Sequence, residues 1–187
     1  MVGEYAMAQE GASTLHPSPI LETRWKPFVH GPIKVNFDVA VPGTNYVVLG
    51  GVARDSVGDV VVSTCLRVLG NFEADVAEAL AMRHALSTSM ESGFRKVCLE
   101  TDCIRLYSHL SKGYAPHTAF GLVVNDILHL ARRWVSCSFS FVKRSGNCVA
   151  HKLAKLSLSF HDLRVWMEEV PSDVFSAVVD DLHFLSE

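Results

Sequence analysis

The chain has 187 residues and a formal net charge of −3, with 49% hydrophobic and 20% charged residues, which suits one domain with short appendages and is too apolar for wholesale disorder. No uncharged apolar stretch approaches the roughly 20 residues that span a bilayer, so no membrane partner is expected. Residues 1–23 hold Glu4, Glu10 and Glu22 but neither Lys nor Arg, unlike a secretory or organelle leader, and the expected location is intracellular, in nucleus or cytosol.

Residues 1–24 mix Gly, Ser, Pro and Ala without periodicity, and His16-Pro17-Ser18-Pro19 favours extended backbone, so they read as a flexible leader. From Ile33 the pattern changes. Ile33, Val35, Phe37 and Val39 alternate with Lys34, Asn36, Asp38 and Ala40, the period of a strand, which puts Asp38 within it. Tyr46–Arg54 and Asp59–Val68 are Val- and Leu-rich runs joined by Asp55-Ser56-Val57-Gly58, a hairpin turn. After Gly70, Val76, Ala77, Leu80, Ala81, His84, Ala85 and Leu86 recur at helical spacing, with Glu78 off the most apolar stripe and Gly93 as terminator. A strand follows at Lys96–Thr101, with Asp102 at its end, and then a helix through Leu110 that Gly113-Tyr114-Ala115-Pro116 breaks. A further helix at Phe120–Trp134, a strand at Ser138–Lys143 and a helix at Val149–Phe160 complete a mixed α/β sheet with packed helices.

Two charge blocks follow one another. Between Ile127 and His161 there are six Lys and Arg residues and no acid, whereas residues 162–187 hold seven acids against Arg164 alone. Residues 161–187 read as an acidic extension in which Val165, Trp166, Val174, Phe175, Val178, Val179, Leu182 and Leu185 form an amphipathic helical pattern after Pro171. It is expected to fold back on the domain, or else to offer a helix to a protein partner. The five cysteines form no C-x-x-C pair and read as free thiols. Trp25, Trp134 and Trp166 lie in or near apolar stripes and read as packing residues.

Asp38, Glu78, Asp102 and His151 come from four separate elements. In a mixed sheet the end of the fourth strand can lie beside the first, with a helix bringing Glu78 over the same place. Carboxylates gathered in this way raise one another's pKa unless a divalent cation lies among them, and hard oxygen donors suit magnesium or manganese. Taken one at a time, each is equally an ordinary surface acid.

The segments Trp25-Lys26-Pro27, Gly31–Asp38, Gly51–Gly58, Ala77-Glu78-Ala79-Leu80-Ala81, Glu100-Thr101-Asp102-Cys103 and Val142–Ala154 occur in an order that resembles the ribonuclease H-like domains abundant in plant genomes, relatives of the ribonuclease H segment of retrotransposon reverse transcriptases. The resemblance covers residues 25–160. It implies a five-stranded mixed sheet, the first three strands antiparallel and the rest parallel to the first, with helices on both faces. It implies hydrolysis of the RNA strand of RNA–DNA hybrids using Mg2+, or alternatively Mn2+, in a two-metal mechanism; separately, a monomer is expected. Carried across, Asp38, Glu78, Asp102 and His151 become catalytic and metal-binding residues, His151 standing where many relatives have a fourth acid. Val39 replaces a common glycine, from which crowding beside Asp38 is expected. Asn147 reads first as a side-chain cap of the last helix and second, with Lys143, Arg144 and Lys152, as a nucleic-acid contact. The competing reading is a domesticated binding or interaction module with weak or no chemistry, suggested by Val39, His151 and the acidic net charge.

Overall fold

The computed structural model describes residues 24–28, 31–43 and 45–183, so the expected leader lies outside the described residues except for Arg24. The strands are β1 (Ile33–Ala40), β2 (Tyr46–Arg54), β3 (Val60–Leu69), β4 (Lys96–Thr101), β5 (Ser136–Phe141) and β6 (Arg164–Met167). The helices are α1 (Ala74–Glu91), α2 (Ile104–Ser111), α3 (Ala119–Ala131), α4 (Cys148–Leu156) and α5 (Ser172–His183). The sheet order is β5-β4-β1-β2-β3-β6. β1, β2 and β3 pair antiparallel, and β4 and β5 continue from β1 in parallel, as expected.

The expected five strands become six. Val165 and Trp166, read from sequence as part of an amphipathic helix, lie in β6, which pairs antiparallel with β3 through Thr64↔Val165 and Ser63↔Trp166. A four-residue strand is too short to show a period of two distinguishable from a helical one. The helix expected after Pro171 is present as α5, and the extension through His183 folds back on the domain; Leu185 of the expected pattern lies outside the described residues.

Both faces of the sheet are covered. On one face Val35, Phe37, Leu49 and Leu99 meet Ala77, Met82 and Leu86 of α1 and Val124 and Ile127 of α3. Alanines at positions 77, 79, 81 and 85 are all buried; they favour helix and let α1 lie close to the strands. On the other face Val52 and Cys65 meet Val149, Ala150 and Leu153 of α4, with Val174, Ala177 and Val178 of α5 closing the cluster. Each fully buried Leu, Val or Phe contributes about 2 kcal/mol.

Two glycines make local geometry possible. A Cβ on Gly50 would lie 2.7 Å from the Ala150 carbonyl oxygen, so its absence lets α4 sit directly on β2. In the β2–β3 turn Gly58 has φ +96°, and Asp55 Oδ1 accepts the backbone N–H groups of Val57, Gly58 and Asp59 at 2.9–3.0 Å.

The polar face of β1 is interior too. Lys34, Asn36 and Asp38 are all buried, because α4 and the segment around Trp25 cover the side that alternation alone assigns to solvent.

Candidate metal centre

β1 and β4 run in parallel from Ile33↔Val97 to Asn36↔Glu100. Two residues beyond the last pair, Asp38 and Asp102 project on the same side as Asn36 and Glu100. Glu78 reaches the same point from the second turn of α1. One oxygen from each of the three carboxylates lies within 4.8 Å of the others. Asp38 is 2% exposed, while Glu78 and Asp102 are half-buried.

Such a gathering of negative charge is unfavourable by itself. Burial, followed by the charges of Asp38 and Asp102, pushes the Glu78 carboxyl up to about 8, with Arg144 pulling the other way. Burial and then Asp38 also raise Asp102, again against Arg144. Glu78 Oε2 is buried with no protein hydrogen-bond partner. A buried carboxylate oxygen left this way is costly, and an all-oxygen set of three acids is the donor chemistry that Mg2+ and Mn2+ favour. These residues therefore fit a divalent cation.

His151, the fourth expected ligand, lies outside the group of mutually close donor atoms. Its Nδ1 is 2.5 Å from Asp38 Oδ2. An ionised carboxylate can only accept, so in that bond Nδ1 carries the proton and Nε2 is the nitrogen left for other partners. α4 is the element that brings His151 to β1, seated by Gly50.

The structure separates the residues expected to contact nucleic acid. Arg144, with 81% of its side chain exposed, stands with Nε 3.7 Å from Asp102 Oδ2 and shares a hollow with Asp75, Glu78, Asp102 and Cys103. Lys143 is half-buried beside it. Lys152 is directed at α5, its Nζ donating to Ser176 Oγ at 3.2 Å. Asn147 departs from the capping expectation. It precedes α4, but its side chain makes no capping bond; it is buried and donates through Nδ2 to the Phe37 carbonyl at 2.8 Å. It thus ties the loop before α4 to the residue preceding Asp38, a link between positions 110 residues apart that no spacing in the sequence announces.

The crowding expected from Val39 is also corrected. Alternation turns its side chain to the opposite face from Asp38, where it packs against the α1/α3 core.

The profile of a family described as reverse transcriptase-like matches residues 36–157. No curated protein matches the sequence. Among solved structures the chain is similar to ribonuclease H1 of Halobacterium salinarum, at 22% identity and TM-score 0.63, over 69% of this chain and 98% of that one. It is similar to the LC11 ribonuclease H1, isolated from compost and solved in complex with RNA/DNA hybrid, at 19% identity and TM-score 0.61, over 68% of this chain and 96% of that one. It is also similar to the protease-reverse transcriptase of prototype foamy virus, at 16% identity and TM-score 0.55, over 72% of this chain and 22% of that one. At these identities the likeness establishes a ribonuclease H-like fold.

Proposed function

Since this chain belongs to the reverse transcriptase-like family, we propose that it is a metal-dependent endonuclease of the ribonuclease H type, cleaving the RNA strand of RNA–DNA hybrids. The observation that carries the reading is the convergence of Asp38, Glu78 and Asp102 within 4.8 Å, with a buried Glu78 oxygen left unpartnered. These three residues would hold Mg2+, or Mn2+ in its place. Bound in such sites, a pair of divalent ions activates the attacking water and stabilises charge at the departing 3′-oxygen.

The chain's own residues do the rest. Arg144 is exposed beside Asp102 and supplies a guanidinium to a phosphate entering the hollow, with Lys143 next to it adding positive charge. His151 keeps Asp38 oriented through Nδ1, and its Nε2 is available to accept a proton or a ligand. Retrotransposon ancestry and a plant source belong to the same reading, which rests for them on the sequence resemblance.

One observation favours the rival reading of a binding module with weak chemistry. The His151–Asp38 bond occupies one oxygen of the most buried acid, which weakens Asp38 as a ligand. A labelled RNA–DNA hybrid incubated with the protein in Mg2+ and then Mn2+ separates the two. The nuclease reading expects cleavage of the RNA strand, lost by at least about 100-fold in Asp102→Asn. Hybrid retained uncut by both proteins would establish the binding module in its place.

A further inference from the structure

We propose that Asn36 and Glu100 are positioning residues: a buried tie between β1 and β4 that holds Asp38 and Asp102 at cation-binding separation against their own repulsion. The inference rests on the functional reading above and concerns what keeps that site in shape. Asn36 and Glu100 form the last pair of the parallel ladder. Past them no backbone pairing sets the distance between the two strand ends, which carry charges of the same sign.

Asn36 Nδ2 donates to Glu100 Oε2 at 3.1 Å, with the two residues 0% and 3% exposed. The other oxygen of Glu100 is held from both sides. Lys34 Nζ of β1 lies 2.9 Å from Glu100 Oε1, and Ser140 Oγ of β5 donates to that same oxygen at 3.1 Å. One carboxylate thus joins three adjacent strands, one side-chain layer below the acids.

Stability alone is a poor reason for this arrangement. Apolar residues of similar size often replace buried ion pairs at no cost or with a gain, and Asn36 Oδ1 is buried without a protein partner, a further penalty. What the polar layer provides is a fixed separation where the ladder ends. A Leu–Leu pair at positions 36 and 100 would tolerate splaying beyond the last backbone pair, whereas a directional amide–carboxylate bond does not. Groups bonded directly to metal ligands typically change cation affinity about 10- to 100-fold when removed, and a tie one layer away, acting through the strands, is expected at the lower end of that range.

The test is Mn2+ and Mg2+ binding to the full chain by isothermal titration calorimetry, with thermal stability recorded in parallel. Asn36→Leu should weaken cation affinity by about 10-fold or more. Ser140→Ala removes a bond to the same carboxylate that does not bridge β1 and β4, and should leave affinity within about 2-fold while costing comparable stability. Asn36→Ser is too short to reach Glu100 and carries the same expectation should the Leu variant fail to fold. Cation binding unchanged in the Asn36 variants, or weakened equally by Ser140→Ala, would reduce the tie to ordinary stabilisation while leaving the nuclease reading intact. A wild-type chain that takes up neither cation would instead overturn the functional reading, and this one with it.

Discussion

Glu78 shows what a single side chain contributes when others of its sign surround it. Its carboxyl, pushed up to about 8 by burial and by Asp38 and Asp102, binds more protons in the folded than in the unfolded chain at any pH between about 4.5 and 8. Stability therefore falls as pH rises through that window, and the raised Asp102 acts in the same direction. His84 has the opposite sign. Burial against Thr64 lowers it to about 4, so its contribution is lost as pH falls below its ordinary 6.5 and is flat above. The interval from about 6.5 to 8 thus isolates the acids. Thermal melts in chelator should show the midpoint dropping across that interval, and Mg2+ should abolish the drop by favouring the ionised carboxylates. Glu78→Gln should flatten the chelator curve; a slope unchanged in this variant would show that the acids are not coupled. At the same scale, Asn147→Leu removes the bond to Phe37 and should cost about 1–3 kcal/mol in denaturant unfolding, with hybrid cleavage falling further than this stability loss accounts for.

Helices deliver the remaining groups, and their seating is set by close contacts. α4 lies on β2 because Gly50 has no side chain. Gly50→Val should lift α4, break the His151–Asp38 contact and cost about 3 kcal/mol, read as a lower denaturant midpoint. α5 is held by a deeper device. Arg54, 0% exposed at the end of β2, stacks 3.6 Å from the Trp25 ring centroid and meets Asp181 of α5 at 2.7 Å. Burial lowers Arg54 and raises Asp181 despite their mutual attraction, so pairing does not fully offset desolvation on either side. Removing one partner is then worse than removing both. Asp181→Ala should destabilise the chain by about 3 kcal/mol and speed amide exchange in α5, whereas Arg54→Met with Asp181→Leu should cost less. Equal losses in the single and double variants would argue against a stranded Arg54 charge.

At the scale of the whole molecule, the segment past residue 160 completes the structure. β6 extends the sheet beyond β3, and α5 closes the apolar cluster under α4, the helix that carries His151. A chain ending at Phe160 should expose Val149 and Leu153 and lose solubility or melt at lower temperature. It should also lose cation affinity through a looser α4. A truncated chain with unchanged melting and binding would make the extension an independent appendage.

The elements that carry Asp38, Glu78 and Asp102 were legible in the sequence because period two, period 3.6 and the end of a strand are local signals, whereas the site role expected of these three acids came from the family resemblance. The linear order of elements follows from the same signals, as does the turn at Asp55–Gly58. The chain by itself determined which residues enter strands and helices, and the segments that resemble ribonuclease H-like domains. Only the tertiary structure decided which faces are buried. The alternation of Lys34 and Asn36 with apolar neighbours does not reveal that their face of β1 is interior too, buried under α4 and the segment around Trp25, nor that Glu100 is buried beside them. The inward turn of Asn147, the sixth strand and the Arg54–Asp181 anchor link residues about 100 or more positions apart in the chain. Periodicity records how a segment alternates about its own axis; it carries no information on what will pack against each side, and that packing is what draws the carboxylates together.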